Sequence, residues 1–303
     1  VDAVMNLFAP GDHIITGNDL YGGSFRLFRN INARNCVEFT TVHTSKLEEI
    51  KAAIKPNTKA IFLETPTNPT MEISDLRAIS KIAKENNFLV IVDNTFLTPY
   101  FQKPLTLGAD IVIHSGTKYI AGHNDVLAGF TVVKEQTLAD KLRLIYKTTG
   151  ACLGALDAWL VIRGIKTLPL RMEQHQKNAA AIAAWLQKQP RVQYVLYPGL
   201  AEHPGYAVNK GQTSGFGGMI SFAVDNAETA RQILEGVKLI QFAESLGGTE
   251  SLITYPIRQT HTDLTPEECA EKGITDCLLR LSTGIEATDD LIADLAQAFA
   301  GVK

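Results

Sequence analysis

The chain has 303 residues, 45% of them hydrophobic and 20% charged, with a net charge of −3. That balance excludes the basic footprint of a nucleic-acid binder and the apolar-poor profile of a disordered chain, and the length suits one large α/β unit or a main domain plus a smaller one. No apolar run reaches the ~18 residues of a membrane span and residues 1–30 lack a basic segment followed by an apolar one, so a cytoplasmic protein is expected. The four cysteines, Cys36, Cys152, Cys269 and Cys277, form no CxxC pair and have no histidines at ligand spacing, so neither a disulfide framework nor a metal site is expected.

In chain order, "VDAVMNLFAPGDHIITG" reads as the end of a helix, a turn at Pro10-Gly11 and a strand, the pattern expected of a chain that begins inside a domain. Short β-branched runs follow: "HIITG", "CVEFTTV", "AIFLET", "FLVIVDN", "DIVIHS" and "AGFTVV". They are apolar almost throughout, which predicts strands covered on both faces in a mostly parallel, doubly wound sheet. The intervening "SKLEEIKAAI" and "SDLRAISKIAKENN" predict helices opening on N-caps at Ser45 and Ser74, the second closing at Asn86-Asn87. From about 150 to 190 the pattern turns helical, with breaks at Gly164 and Pro169. After Pro190, strand-like "VQYVLY", "GGMISFAV" and "LLRLSTG" mix with helical "NAETARQILEGV" and "DDLIADLAQAFAG". The expected organisation is a large α/β domain over 1–150, a helical connector over 151–190 and a small α+β domain over 191–303.

In open α/β sheets ligands collect beyond the carboxyl ends of the strands. Three such ends are unusually polar: "AIFLE" runs into Thr65-Pro66-Thr67-Asn68-Pro69, "LVIV" into Asp93-Asn94-Thr95, and "DIVI" into His114-Ser115-Gly116-Thr117-Lys118. Singly, Asp93, Ser115 and Thr117 have ordinary readings as caps and turn residues. Together they offer more. The hydroxyls and backbone donors of Ser115, Gly116 and Thr117 suit a phosphate dianion, and a lysine near low-dielectric strand ends loses its proton readily, so that its neutral amine can form a Schiff base with an aldehyde. Phosphate donors, an amine nucleophile and a buried carboxylate are the set that pyridoxal phosphate needs, with Asp93 the candidate partner of its pyridine nitrogen.

The strings "DLYGGSFRLF", "ETPTNP", "VDNTFLTPYFQ", "HSGTKYIAGHND", "RGIKTLPLRM", "SLGGTESL" and "LLRLSTGIE" occur in this order over essentially the whole chain. With them the sequence resembles the Cys/Met-metabolism pyridoxal phosphate enzymes, the cystathionine γ-synthases and the cystathionine and methionine lyases, N-terminally truncated. The resemblance implies a type I aminotransferase-like fold and pyridoxal 5'-phosphate as cofactor. It makes Lys118 the Schiff-base lysine and proton carrier, pairs Asp93 with the ring nitrogen, and gives the phosphate to Ser115 and Thr117. Tyr21 would stack on the ring and assist proton movement to the leaving group, Thr95 would lie near the ring, and Asn68 would contact the phenolic oxygen. Arg280, helped by the Ser245 backbone, would grip the substrate α-carboxylate, for which a guanidinium fork is well shaped. His114 and His123 are expected to be hydrogen-bonded structural residues, and "GGTESL" a close turn beside the substrate.

The resemblance also implies a homotetramer whose active sites are shared between subunits. The family's additional N-terminal segment, with a tyrosine, an arginine and a glycine-containing turn that reach a phosphate, is absent here, which predicts weakened cofactor binding by this chain. For the reaction, Glu244 and Arg26 resemble γ-specific members, while "SGTKYIAGHND" and "RGIKTLPLR" resemble β-lyases. The expectation is cystathionine cleavage, β-elimination to homocysteine, pyruvate and ammonia first, with γ-synthase or γ-lyase chemistry as the alternatives. Two rivals of other classes are a different phosphate-binding α/β enzyme and a non-catalytic regulator. Neither a GxGxxGK[ST] nor a GxGxxG loop follows a strand, and no basic helix-turn-helix segment is evident.

Overall fold

The computed structural model describes residues 1–260 and 265–303. A six-stranded sheet is built from β1 (His13–Gly17), β2 (Glu38–Val42), β3 (Thr58–Glu64), β4 (Leu89–Asp93), β5 (Ile111–Ser115) and β6 (Gly129–Val133), in the order β2-β1-β3-β4-β5-β6. All its pairings are parallel except β5 with β6. Central β3 shows why its sequence is apolar without interruption. Ile61 and Leu63 pack on one face against Leu76, Ile79 and Ile82 of the helix Leu76–Glu85, while Ala60 and Phe62 pack on the other against Met5 and Phe28. The edge strands β2 and β6 depart from the expected double burial: both are largely half-buried or exposed, because an edge strand has a neighbour on one side only.

Helix starts differ from expectation by one residue. The helix Leu47–Ala52 begins after Lys46, and Leu76–Glu85 begins after Asp75, whose carboxylate accepts from Ala78 N at 3.0 Å. Ser45 instead donates to Glu72, and buried Ser74 is spent on Thr44 and Thr65, so neither serine caps a helix. Gly164 lies within the helix Ala155–Ile165 and Pro169 in the first turn of Leu168–Leu186, where its missing N–H leaves no bond broken; the break falls between them.

A second sheet contains β7 (Val192–Leu196), β8 (Met219–Val224), β9 (Gln241–Phe242), β10 (Leu252–Thr254) and β11 (Leu278–Ser282), ordered β7-β8-β11-β10-β9. The helices Leu168–Leu186, Ala227–Gly236 and Thr288–Ala300 cover one face, burying Ile182, Phe222, Ile233, Leu279 and Leu295 in one core. The opposite face carries the register pair Ser221 and Arg280. Ser221 Oγ donates to Pro69 O at 2.7 Å and Arg280 reaches Asn68, so this face is applied to the loop that follows β3. No helix among the described residues is long and apolar enough to cross a membrane.

Candidate active site

Parallel strands β3, β4 and β5 end side by side, and Glu64 is the register partner of Asp93. At these ends opens a cavity of about 180 Å³. Its wall includes Tyr21, Asn68, Asp93, Thr95, Ser115, Thr117 and Lys118, so the three polar strand ends converge as the sequence suggested.

Thr95 joins β4 to β5. Its Oγ1 donates to Asp93 Oδ1 at 2.5 Å and accepts from Ser115 N at 2.8 Å, while Thr95 N donates to the same carboxylate oxygen at 3.0 Å. Burial pushes the Asp93 carboxyl above its ordinary range, against the two bonds from Thr95. Glu64, which the sequence reading passed over, is pushed well up, first by burial and then by the charge of Asp93. Two carboxyls crowded at adjacent strand ends favour an added positive charge, such as a protonated ring nitrogen. Glu64 also accepts from Tyr21 N at 2.8 Å, which ties it to the start of the helix Gly22–Asn30. A glutamate closing an apolar run, at the same place as Asp93 on the next strand, was the signal available for it.

After β5 the chain enters a wide helical turn over Gly116–Ile120, within which Lys118 leaves helical geometry at φ −92°, ψ −134°. Lys118 Nζ donates to Ser245 Oγ at 2.9 Å. Burial first, and the Arg280 cation second, push the Lys118 amine down to about 8, opposed by Glu244. Thr117 Oγ1 accepts from Ala128 N at 3.1 Å and donates to Ala128 O at 3.4 Å, so this hydroxyl also pins the approach to β6. The Ser115 hydroxyl lines the cavity and has no partner among the described residues.

Arg280 is 1% exposed and among the described residues its hydrogen bonds go to neutral oxygens: Asn68 Oδ1 at 2.8 Å, Ser245 O at 3.1 Å and Thr254 Oγ1 at 3.1 Å. Its Nε has no partner among the described residues. Burying a guanidinium on neutral hydrogen-bond acceptors is costly, a cost that an added anion beside it would offset. Burial pushes Arg280 down to about 10. Ser245 itself sits at φ +93°, the left-handed region that favours glycine, and such local strain of ~1–3 kcal/mol is characteristic of functional sites. Arg26 lies on the helix that Tyr21 begins and is not part of the cavity wall; Glu244 adjoins Lys118 and Arg280 electrostatically. His114 and His123 are occupied by backbone carbonyls, of Asn94 at 3.2 Å and of Ala121 at 2.7 Å. Phe96, Leu127 and Leu246 form the apolar part of the wall.

These residues fit a pyridine aldehyde phosphate: carboxyls wanting a cation, an amine with a lowered proton affinity, and an unpartnered hydroxyl at the turn. Residues 1–300 match the model of the Cys/Met metabolism PLP-dependent enzymes. The chain is 50% identical over 302 residues to a cystathionine gamma-lyase of Bacillus subtilis, covering 100% of this chain and 80% of that one. It is 51% identical over 304 residues to a cystathionine gamma-synthase of Haemophilus influenzae, with 100% and 78% covered. A cystathionine beta-lyase of Lactococcus lactis subsp. cremoris is 47% identical over 298 residues, with 98% and 78% covered. The crystal structure of cystathionine gamma-lyase from Lactobacillus plantarum complexed with L-serine superposes with a TM-score of 0.98 at 46% identity, over 99% of this chain and 79% of that one. The chain therefore belongs to the Cys/Met metabolism PLP-dependent enzymes, with their fold and with pyridoxal 5'-phosphate as cofactor.

Proposed function

We propose that the chain cleaves the carbon–sulfur bond of cystathionine, with β-elimination to homocysteine, pyruvate and ammonia as the favoured course. The observation that carries this reading is the sharing of Ser245: its hydroxyl meets the Lys118 amine and its carbonyl meets Arg280. An amino acid whose α-carboxylate lies on Arg280 thereby brings its Cα toward that amine.

In this reading Lys118 holds the cofactor, Asp93 faces the ring nitrogen, Ser115 and Thr117 face the phosphate, Thr95 sets the Asp93 carboxylate, and Tyr21 covers the ring. Bound pyridoxal phosphate supplies the electron sink for the pair released at Cα. Lys118 Nζ accepts the Cα proton, for which a proton affinity lowered to about 8 is well matched. Asn68 fixes the Arg280 fork from one side while Ser245 and Thr254 fix it from the other, orienting the carboxylate. The Tyr21 hydroxyl delivers a proton to the departing sulfur, and Phe96 and Leu246 exclude water from the reacting atoms.

A γ-directed reading is favoured by Glu244, whose charge acts on both Lys118 and Arg280, and by Arg26; a γ-leaving group needs one further proton transfer, from Cβ. A product assay on cystathionine separates the readings. Homocysteine with pyruvate supports β-elimination, and cysteine with 2-oxobutyrate supports γ-elimination. An arm with O-acyl-homoserine and cysteine tests γ-replacement, and no turnover in any arm would sink the proposal. We also propose a homotetramer, supported by the helix Ala155–Ile165, which leaves Leu156, Trp159 and Ile162 more than half exposed in one stripe.

A further inference from the structure

The segment "RGIKTLPLRM" has no part in the chemistry above, yet it places a buried cation directly behind the Lys118 turn. Arg171, on the helix Leu168–Leu186, is 4% exposed. Its Nη1 donates to Tyr119 O at 2.6 Å, its Nη2 to Ile120 O at 3.3 Å and Gly164 O at 2.9 Å, and its Nε to Thr167 Oγ1 at 3.0 Å. All four acceptors are neutral, and among the described residues no carboxylate pairs with it. Burying a guanidinium on neutral oxygens sacrifices solvation that a packed leucine or methionine would not lose. The return on that cost must lie in what the cation holds.

It holds the carbonyls of the two residues that follow Lys118, at the C-terminal end of a helical turn where positive charge is favoured. Close backbone approach reinforces the grip. A Cβ on Gly122 would fall 2.1 Å from Arg171 Nη1, and one on Gly164 would fall 2.2 Å from Ala121 O. From the other side, a Cβ on Gly247 of the "SLGG" loop would fall 2.7 Å from Tyr119 N. The backbone of residues 119–121 is thus pressed between the two helices 155–165 and 168–186 and the loop that carries Ser245, while the Lys118 side chain enters the cavity.

We propose that Arg171 is a positioning residue: by fixing the Tyr119 and Ile120 carbonyls it sets where the Lys118 amine stands relative to Ser245 and the cofactor's aldehyde. The inference rests on the reading of Lys118 as the cofactor lysine. Affinities of the full chain for pyridoxal phosphate and for pyridoxamine phosphate, measured by titration of the cofactor-free protein, test it. The second compound has the same ring and phosphate but no aldehyde for a lysine to capture. Because a misplacement of ~1 Å can cost on the order of 100-fold, Arg171→Met is expected to weaken pyridoxal phosphate about tenfold or more while pyridoxamine phosphate stays within about twofold. Arg171→Lys is expected to restore part of the difference. Thr167→Val, which removes the Nε acceptor together with the hydroxyl's own bond to Gly164 O and leaves the guanidinium's bonds to Tyr119 and Ile120 in place, is expected to shift the ratio in the same direction by about threefold and decides the matter if Arg171→Met does not fold. Affinities for the two compounds that fall in parallel, or that do not change, would overturn the positioning role and leave Arg171 as a structural clamp. Equal affinity of the wild-type chain for both compounds would instead remove the reading of Lys118 itself.

Discussion

Ser245 concentrates the site's chemistry in one residue, since it touches the amine and the guanidinium while held at a backbone angle suited to glycine. Shortening the Arg280 fork to a single ammonium should therefore be felt in substrate binding. Arg280→Lys loses a charge-assisted bond of ~1.5–3 kcal/mol, so KM for an amino-acid substrate is expected to rise about 10- to 100-fold with a smaller change in kcat, measured by steady-state kinetics. Residues also set the acid limit of the fold. Burial pushes His114 and His175 down to about 4, and His175 is fully buried with its ring nitrogen on Thr283 O at 2.6 Å. The unfolded chain binds those protons near pH 6.5, so stability is full above that value and is lost as pH falls from about 6.5 to about 4, at ~1.4 kcal/mol per pH unit for each group. Melting temperature across that range checks the sign, and His175→Gln is expected to flatten part of the slope. Asp93, Ser115 and Lys118 were legible in the sequence because each follows a β-branched run that could only be a strand. Glu64 was not, since a glutamate at a strand end ordinarily marks the return to solvent, and its burial follows from the neighbouring strand and from Tyr21 N.

At the scale of elements, periodicity located the strands and helices while hydrogen bonds decided their ends. Ser74 and Asp75 are both good cap types, and only packing tells them apart: Ser74 is committed to Thr44 and Thr65, leaving Asp75 to accept from Ala78 N. Asp75→Ala is accordingly expected to cost about 1 kcal/mol in denaturant unfolding, and Ser45→Ala, which caps nothing, less than about 0.5 kcal/mol. The turn after β5 was readable as a turn but not in its form. Its shape depends on Arg171 and on the "SLGG" loop, and Gly247 at φ +74° leaves no room for a side chain beside Tyr119. Gly247→Ala is expected to weaken cofactor retention in an absorbance titration, because the added carbon must displace the backbone next to Lys118.

Across the whole molecule, residues from Tyr21 to Leu246 meet at one cavity, with Arg280 held beside it on Asn68, and no local pattern records that meeting. The bond from Arg280 to Asn68 spans 212 positions, and it exists because the face of the second sheet that carries Ser221 and Arg280 is applied to the loop after β3. Helices cover the other face of that sheet and form a separate core around Phe222. Phe222→Ala is expected to destabilise by about 3–5 kcal/mol and, by loosening β8 beside β11, to weaken the Arg280 side of the site, seen as a raised KM at temperatures where the chain remains folded. The proposed chemistry joins a lysine from one sheet to an arginine from the other, and it depends on the identity of that lysine. Borohydride treatment of the chain in the presence of pyridoxal phosphate, followed by peptide mapping, tests this most directly. The reduced cofactor's mass is expected on the peptide containing Lys118; that mass on another lysine, or on none, would show that Lys118 does not hold the cofactor.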